Sequence, residues 1–121
     1  MVPSIITYNA LINGLCKNGQ TIKGEELLDE ITRKGLVPNS VTYNTLIDGY
    51  YKKGEMQEAF WLLESMIKKG INANVSTYNS LMNGFCKIRN MKETKKLLDE
   101  MEKKTIKADV VTYNISISAL C

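Results

Sequence analysis

A chain of 121 residues, 44 % hydrophobic and 24 % charged, is long enough for one folded domain and ordinary in composition for one. No apolar run approaches the roughly 20 residues of a membrane span, and no signal-peptide pattern opens the chain. The formal net charge of +3 is too small to name a partner, and with no histidine in the sequence His-based catalytic dyads and His/Cys zinc sites are excluded.

The first predicted element opens on ITYN at 6–9, and the same phrase returns as VTYN at 41–44, STYN at 76–79 and VTYN at 111–114. Tyr8, Tyr43, Tyr78 and Tyr113 step by 35, and so do Asn9, Asn44, Asn79 and Asn114. A fixed period of this size marks a stacked array of small units. Within the unit, Tyr43, Leu46, Ile47, Tyr50 and Tyr51 fall at i, i+3, i+4, i+7 and i+8, the apolar face of a helix, here helix A, expected over 7–18, 42–53 and 77–88. Tyr8, Leu11, Ile12, Leu15 and Cys16 repeat that face before it, and Tyr78, Leu81, Met82, Phe85 and Cys86 after it. Gly19 and Gly54 stop helix A. A second helix, B, follows, lined by Met56, Ala59, Leu63 and Met66, with Phe60 and Leu62 alongside, and closed by Gly35 and Gly70. Pro38 in the connection GLVPN cannot continue it. Arg89 and Thr105 replace these glycines in the third unit, where less regular turns are expected.

A two-helix unit cannot bury its apolar face alone, so neighbours must stack. The fold class is all-α, a right-handed α-solenoid of helix-turn-helix repeats. Its units are 5–39, 40–74 and 75–109, with a helix-A half unit at 110–121 and the tail of an earlier one at 1–4. The chain therefore reads as a stretch of a longer protein. The tyrosine column belongs to the core rather than to a base-stacking platform, and the methionines Met56, Met66, Met91 and Met101 are core too. Gly24, Ala59 and Thr94 keep one helix-B position small. Trp61, whose counterparts are Glu26 and Lys96, is a partly exposed helix residue. Cys16, Cys86 and Cys121 share a column with Tyr51, which makes it a packing position rather than a disulfide framework. No metal or cofactor site is expected, and no catalysis. A half unit without helix B would leave an apolar face, with Ser116 in place of a core leucine, through which two chains could pair as a homodimer.

Charge is sorted between the two helices. Eleven of the 13 acids belong to helix B, and helix A holds only Asp48. Lys17, Lys52 and Lys87 recur at the period and would form a cation ladder suited to a nucleic-acid backbone. Lysines also favour helix C-termini, so the ladder alone has two readings. The Asn column decides between them. Asn is a poor helix former, Thr7, Thr42, Thr77 and Thr112 already supply candidate caps, and an amide can read the edge of a base.

The period, the VTYN-x-LI-x-G opening and the GLVPN and GINAN closings resemble the pentatricopeptide repeat family, in its P-type form, over essentially the whole chain. The resemblance implies single-stranded RNA as partner, read one base per repeat, in a mitochondrion or chloroplast. It assigns base recognition to Asn9 with Asn39, Asn44 with Asn74, Asn79 with Asp109, and Asn114. Ile6, Val41, Ser76 and Val111 would wedge between bases, and Lys17, Lys52 and Lys87 would meet phosphates. Asn with Asn favours cytosine then uracil and Asn with Asp favours uracil, so the implied tract is C/U, C/U, U from 5′ to 3′. The alternative is a protein-binding solenoid of the tetratricopeptide type, which would not need one polar residue in every repeat.

Overall fold

The computed structural model describes residues 4–120. Residues 1–3 of the tail, Cys121 and the side chain of Ser116 lie outside the described set. Among the described residues there are seven helices and no strand: α1 (Ile5–Lys17), α2 (Thr21–Arg33), α3 (Ser40–Lys52), α4 (Met56–Lys68), α5 (Val75–Lys87), α6 (Met91–Lys103) and α7 (Val110–Leu120). No helix is long and apolar enough to cross a membrane. Each of α1, α3 and α5 packs on the even-numbered helix that follows it. The odd-numbered helices also pack on one another in succession, whereas no two of α2, α4 and α6 make a comparable contact. The result is a continuous layer of A helices backed by B helices that do not pack on one another.

The core follows the apolar stripes. Tyr8, Tyr43 and Tyr78 are buried with Ile12, Leu46, Ile47, Leu81 and Met82 from the A helices, and with Ala59, Leu63 and Met66 from α4. Trp61 lies outside the core and is exposed. The columns break only at the ends of the stack. Leu11 is 52 % exposed while Leu46 and Leu81 are fully buried, and Tyr113, on the last helix described, is 63 % exposed.

The stacking depends on a second column of glycines, at Gly14, Gly49 and Gly84, in the middle of the A helices. A Cβ on Gly49 would come within 2.9 Å of Cys16 Sγ, and one on Gly84 within 2.2 Å of Met56 Sδ, while one on Gly14 meets nothing within 4 Å. Here the backbone of one A helix lies against the side chains of the preceding pair. Cys16 and Cys86 are free, half-buried thiols, and burial, then the Asp48 charge, raises the Cys16 pKa, as suits a packing residue.

Three expectations are corrected. Met56, Met66 and Met101 are buried, but Met91, expected in the core with them, is only partly buried. The helix caps lie three residues earlier than the threonines suggested. Ser4, Asn39 and Asn74 are the N-caps, in extended backbone, and Thr7, Thr42 and Thr77 are third-position residues. Asn39 and Asn74 close reciprocal capping boxes: Thr42 N–H donates to Asn39 Oδ1 at 3.1 Å while Asn39 N–H donates to Thr42 Oγ1 at 3.1 Å. The turns of the third pair are also as regular as the others. Arg89 and Thr105 adopt φ of 60° and 55°, beside 76–78° at the four turn glycines. They make the same closing bonds, Asn90 N to Phe85 O at 2.8 Å and Ile106 N to Met101 O at 2.9 Å. The stacked context imposes the turn, and the side chain bears the strain. Left-handed backbone costs a non-glycine residue about 1–2 kcal/mol, most for a β-branched one, and glycine returns about 0.5–1 kcal/mol of that through the entropy of the unfolded chain. Thr105→Gly should therefore stabilise the protein by about 0.5–1 kcal/mol and raise Tm by about 2–4 °C, as thermal melting checks.

Candidate nucleic-acid interface

The Asn column lies in the second turn of each A helix, with Asn9 and Asn44 partly exposed, Asn79 buried and Asn114 exposed. It is tied into the caps of the next A helix. Asn9 Nδ2 donates to Asn39 Oδ1 at 3.1 Å, and Thr42 Oγ1 donates to Asn9 Oδ1 at 2.5 Å. Asn79 Nδ2 donates to Asp109 Oδ1 at 3.0 Å, and Thr112 Oγ1 donates to Asn79 Oδ1 at 2.6 Å. The middle pair is joined through threonine: Thr77 Oγ1 donates to Asn44 Oδ1 at 2.5 Å, and Thr77 N–H donates to the Asn74 Oδ1 cap at 3.0 Å. One capping residue, one threonine and one asparagine thus form a small polar unit that recurs between successive A helices. Sequence reasoning named these threonines only as candidate caps and missed their role as bridges to the asparagines. The signal was present, since Thr7, Thr42, Thr77 and Thr112 recur at the same period as the asparagines.

The bonding decides what each unit offers outward. The Asn9 and Asn79 carbonyls accept from threonine and one amide N–H points to the capping residue, leaving one N–H each. In Asn39 the carbonyl oxygen is occupied by Thr42 N and Asn9 Nδ2, so its amide nitrogen is the free end. In Asp109 one oxygen is occupied by Thr112 N at 3.0 Å and by Asn79, so the second carboxylate oxygen is the free end. The same bonds, first from the Thr112 backbone and then from Asn79, hold the Asp109 carboxyl below the usual carboxylate range. Asn114 is exposed on α7.

Three exposed aliphatic side chains flank the column: Ile6 at 78 %, Val41 at 55 % and Val111 at 52 %, with exposed Ser76 in the same position on α5. Isolated apolar side chains on an otherwise polar face are available to lie against a flat apolar ring. The lysines Lys17, Lys52 and Lys87 are the last residues of α1, α3 and α5 and are all exposed. They differ in their partners. Lys52 Nζ pairs with Asp48 at 3.0 Å, and Lys87 Nζ donates to the Tyr51 hydroxyl at 3.1 Å. A cleft of about 390 Å³ opens on this face between α1, α3 and α5, lined among others by Lys17, Asn44, Lys52 and Thr77. Among the described residues no cluster of His, Cys, Asp or Glu is arranged to hold a metal.

The PPR repeat family matches residues 3–51, 38–87 and 73–121. No curated protein matches the chain. Among solved structures it is similar to the pentatricopeptide repeat protein PPR10 from maize, at 27 % identity and a TM-score of 0.90, covering 100 % of this chain and 17 % of that one. It is equally similar to PPR10 in complex with an 18-nt psaJ RNA element, at 27 % identity and a TM-score of 0.89, covering 100 % of this chain and 18 % of that one. The pentatricopeptide repeat domain of Arabidopsis thaliana protein-only RNase P 1, solved in complex with tRNA, shares the fold at 13 % identity and a TM-score of 0.87, covering 99 % of this chain and 62 % of that one.

Proposed function

Because this chain belongs to the PPR repeat family, we propose that it binds single-stranded RNA along its layer of A helices, one base for each of the units 5–39, 40–74 and 75–109. The observation that carries this reading is the hydrogen-bond economy of the Asn column. At each unit an amide N–H remains free beside a second polar group that is either an amide nitrogen or a carboxylate oxygen. The Watson–Crick edge of cytosine presents an acceptor at N3, and that of uracil presents a donor there. The free amides of Asn39 and Asn74 complement cytosine, and the free oxygen of Asp109 complements uracil. Rotation of an amide would also let the Asn pairs accept uracil. The tract proposed is C/U, C/U, U from 5′ to 3′, with Asn114 adding a further pyrimidine contact. Ile6, Val41 and Val111 would wedge between bases, and the shorter Ser76 less so.

The lysines would hold phosphates. PPR10, solved with a bound RNA element, supports the partner class at 27 % identity. We place the chain as the binding portion, not a catalytic one, of a larger organellar factor for RNA processing or stability, in a mitochondrion or chloroplast. Pairing of two chains through α7, which carries the exposed Tyr113 and Ile117, is a second partner reading. Salt titration tests the phosphate contacts. Each phosphate neutralised on a single strand contributes about −0.7 to the slope of log K against log salt, so three lysines give at most about −2. Lys→Gln at each rung should flatten that slope, least at Lys52, whose charge is balanced by Asp48. An unchanged slope in the triple variant would remove the ladder from the interface.

A further inference from the structure

The column that holds Cys16 and Cys86 holds Tyr51 in between, and this one departure sits beside the ladder. Tyr51 is the penultimate residue of α3, half-buried, and its ring lies over Gly84 of α5, where a Cβ would come within 3.0 Å of Tyr51 Cδ1. Its hydroxyl oxygen accepts from two groups on α5: the Asn83 amide and the Lys87 ammonium, the latter at 3.1 Å. The ammonium also lies 5.0 Å from the centre of the Tyr51 ring. With its oxygen accepting from both neighbours, the hydroxyl has its own proton left to donate. Lys87 keeps the N–H groups that do not face Tyr51. Two donors, one of them charged, therefore lie side by side at the junction of α3 and α5.

We infer that Tyr51 and Lys87 form a two-donor clamp for one phosphate of the bound RNA, the strongest anchor on the ladder. This rests on the RNA-binding reading above. The three rungs are unlike. Among the described residues, Lys17 is a lone exposed ammonium, Lys52 is offset by the Asp48 carboxylate at 3.0 Å, and only Lys87 is braced by a neighbour that can donate to the same anion. Bracing reduces the side-chain entropy lost on binding, and a second donor adds a charge-assisted hydrogen bond. Tyr51 is a specific feature of the second unit, so the clamp fixes where along the strand the RNA is held most tightly, not which base is read.

A double-mutant cycle tests it with fluorescent oligo-U as probe: wild type, Tyr51→Phe, Lys87→Gln and the double variant. Tyr51→Phe keeps the ring over Gly84 and removes only the hydroxyl. Each single change should weaken binding by roughly tenfold, and the double variant should be little weaker than either single one. Tyr51→Cys, which restores the residue of the neighbouring units, should match Tyr51→Phe in binding, and thermal melting keeps loss of fold apart from loss of affinity. Wild-type affinity in Tyr51→Phe beside a weakened Lys87→Gln would overturn the clamp and leave the RNA reading standing. Losses that multiply in the double variant would overturn it too. No binding by wild type to any RNA would overturn both.

Discussion

Asp109→Asn should convert the third unit from uracil to cytosine preference. The change replaces the free carboxylate oxygen, an acceptor, by an amide nitrogen, a donor, and leaves the occupied oxygen in place to accept from Thr112 N and Asn79 Nδ2, now at 3.0 Å each. Asn caps helices as well as Asp does, so the start of α7 should survive and stability should hardly move. A good two-bond base contact discriminates by about 1–3 kcal/mol, so the ratio of affinities for U over C at that position should shift by about 10- to 100-fold. The wild-type preference should also be insensitive to pH in the neutral and mildly acidic range. The Asp109 carboxyl is held below its ordinary value by the Thr112 backbone N–H and then by Asn79. A depressed acid keeps its contribution above the unfolded pKa and loses it only as pH falls through the lower folded value. Competition between oligonucleotides differing at one base measures both effects. Retained uracil preference in Asp109→Asn would show that the capping residue does not choose the base.

Leu46→Ala should destabilise the protein by about 2–5 kcal/mol, and Leu11→Ala, the same substitution one period earlier, by less than about 1 kcal/mol. Both residues hold the same place in helix A. Leu46 is fully buried between neighbouring pairs, whereas Leu11 is 52 % exposed at the end of the stack. In a quasi-one-dimensional array, stability is the sum of what each unit holds internally and what it shares with its neighbours, so an interior unit has two interfaces to lose. The difference is large beside the roughly 5–15 kcal/mol of a typical domain. Urea denaturation of the two variants measures it, and equal losses would contradict stacking as the source of stability.

Much of the architecture was legible because each unit had to bury the same stripe. The i, i+3, i+4, i+7 spacing of Tyr43, Leu46, Ile47 and Tyr50 corresponds to residues that are all buried, and Trp61, without apolar counterparts, is exposed. The helix starts were misplaced because Ser, Thr, Asn and Asp can all cap. Only the backbone distinguishes Asn39, extended at φ −119°, from Thr42 three residues inside the helix. The turns at Arg89 and Thr105 were misjudged because local preference for glycine yields to packing on both sides. The partners of the lysines could not be read from spacing at all. Lys87 meets Tyr51 across 36 residues, through a helix contact that the sequence period implies but does not register atom by atom. The mid-helix glycines were legible and overlooked: Gly14, Gly49 and Gly84 recur at the period, in a helix interior where glycine costs about 1 kcal/mol against alanine and so needs a packing reason.

The central claim is that the Asn column reads bases. Titration of fluorescent oligo-U, oligo-C, oligo-A and oligo-G at two salt concentrations, with wild type beside an Asn44→Ala, Asn79→Ala double variant, tests it most directly. Pyrimidine oligomers should bind more tightly, the variant should lose that preference, and binding should weaken as salt rises. Equal binding of all four by wild type, or binding of none at either salt, would contradict it and favour a solenoid that holds a protein partner.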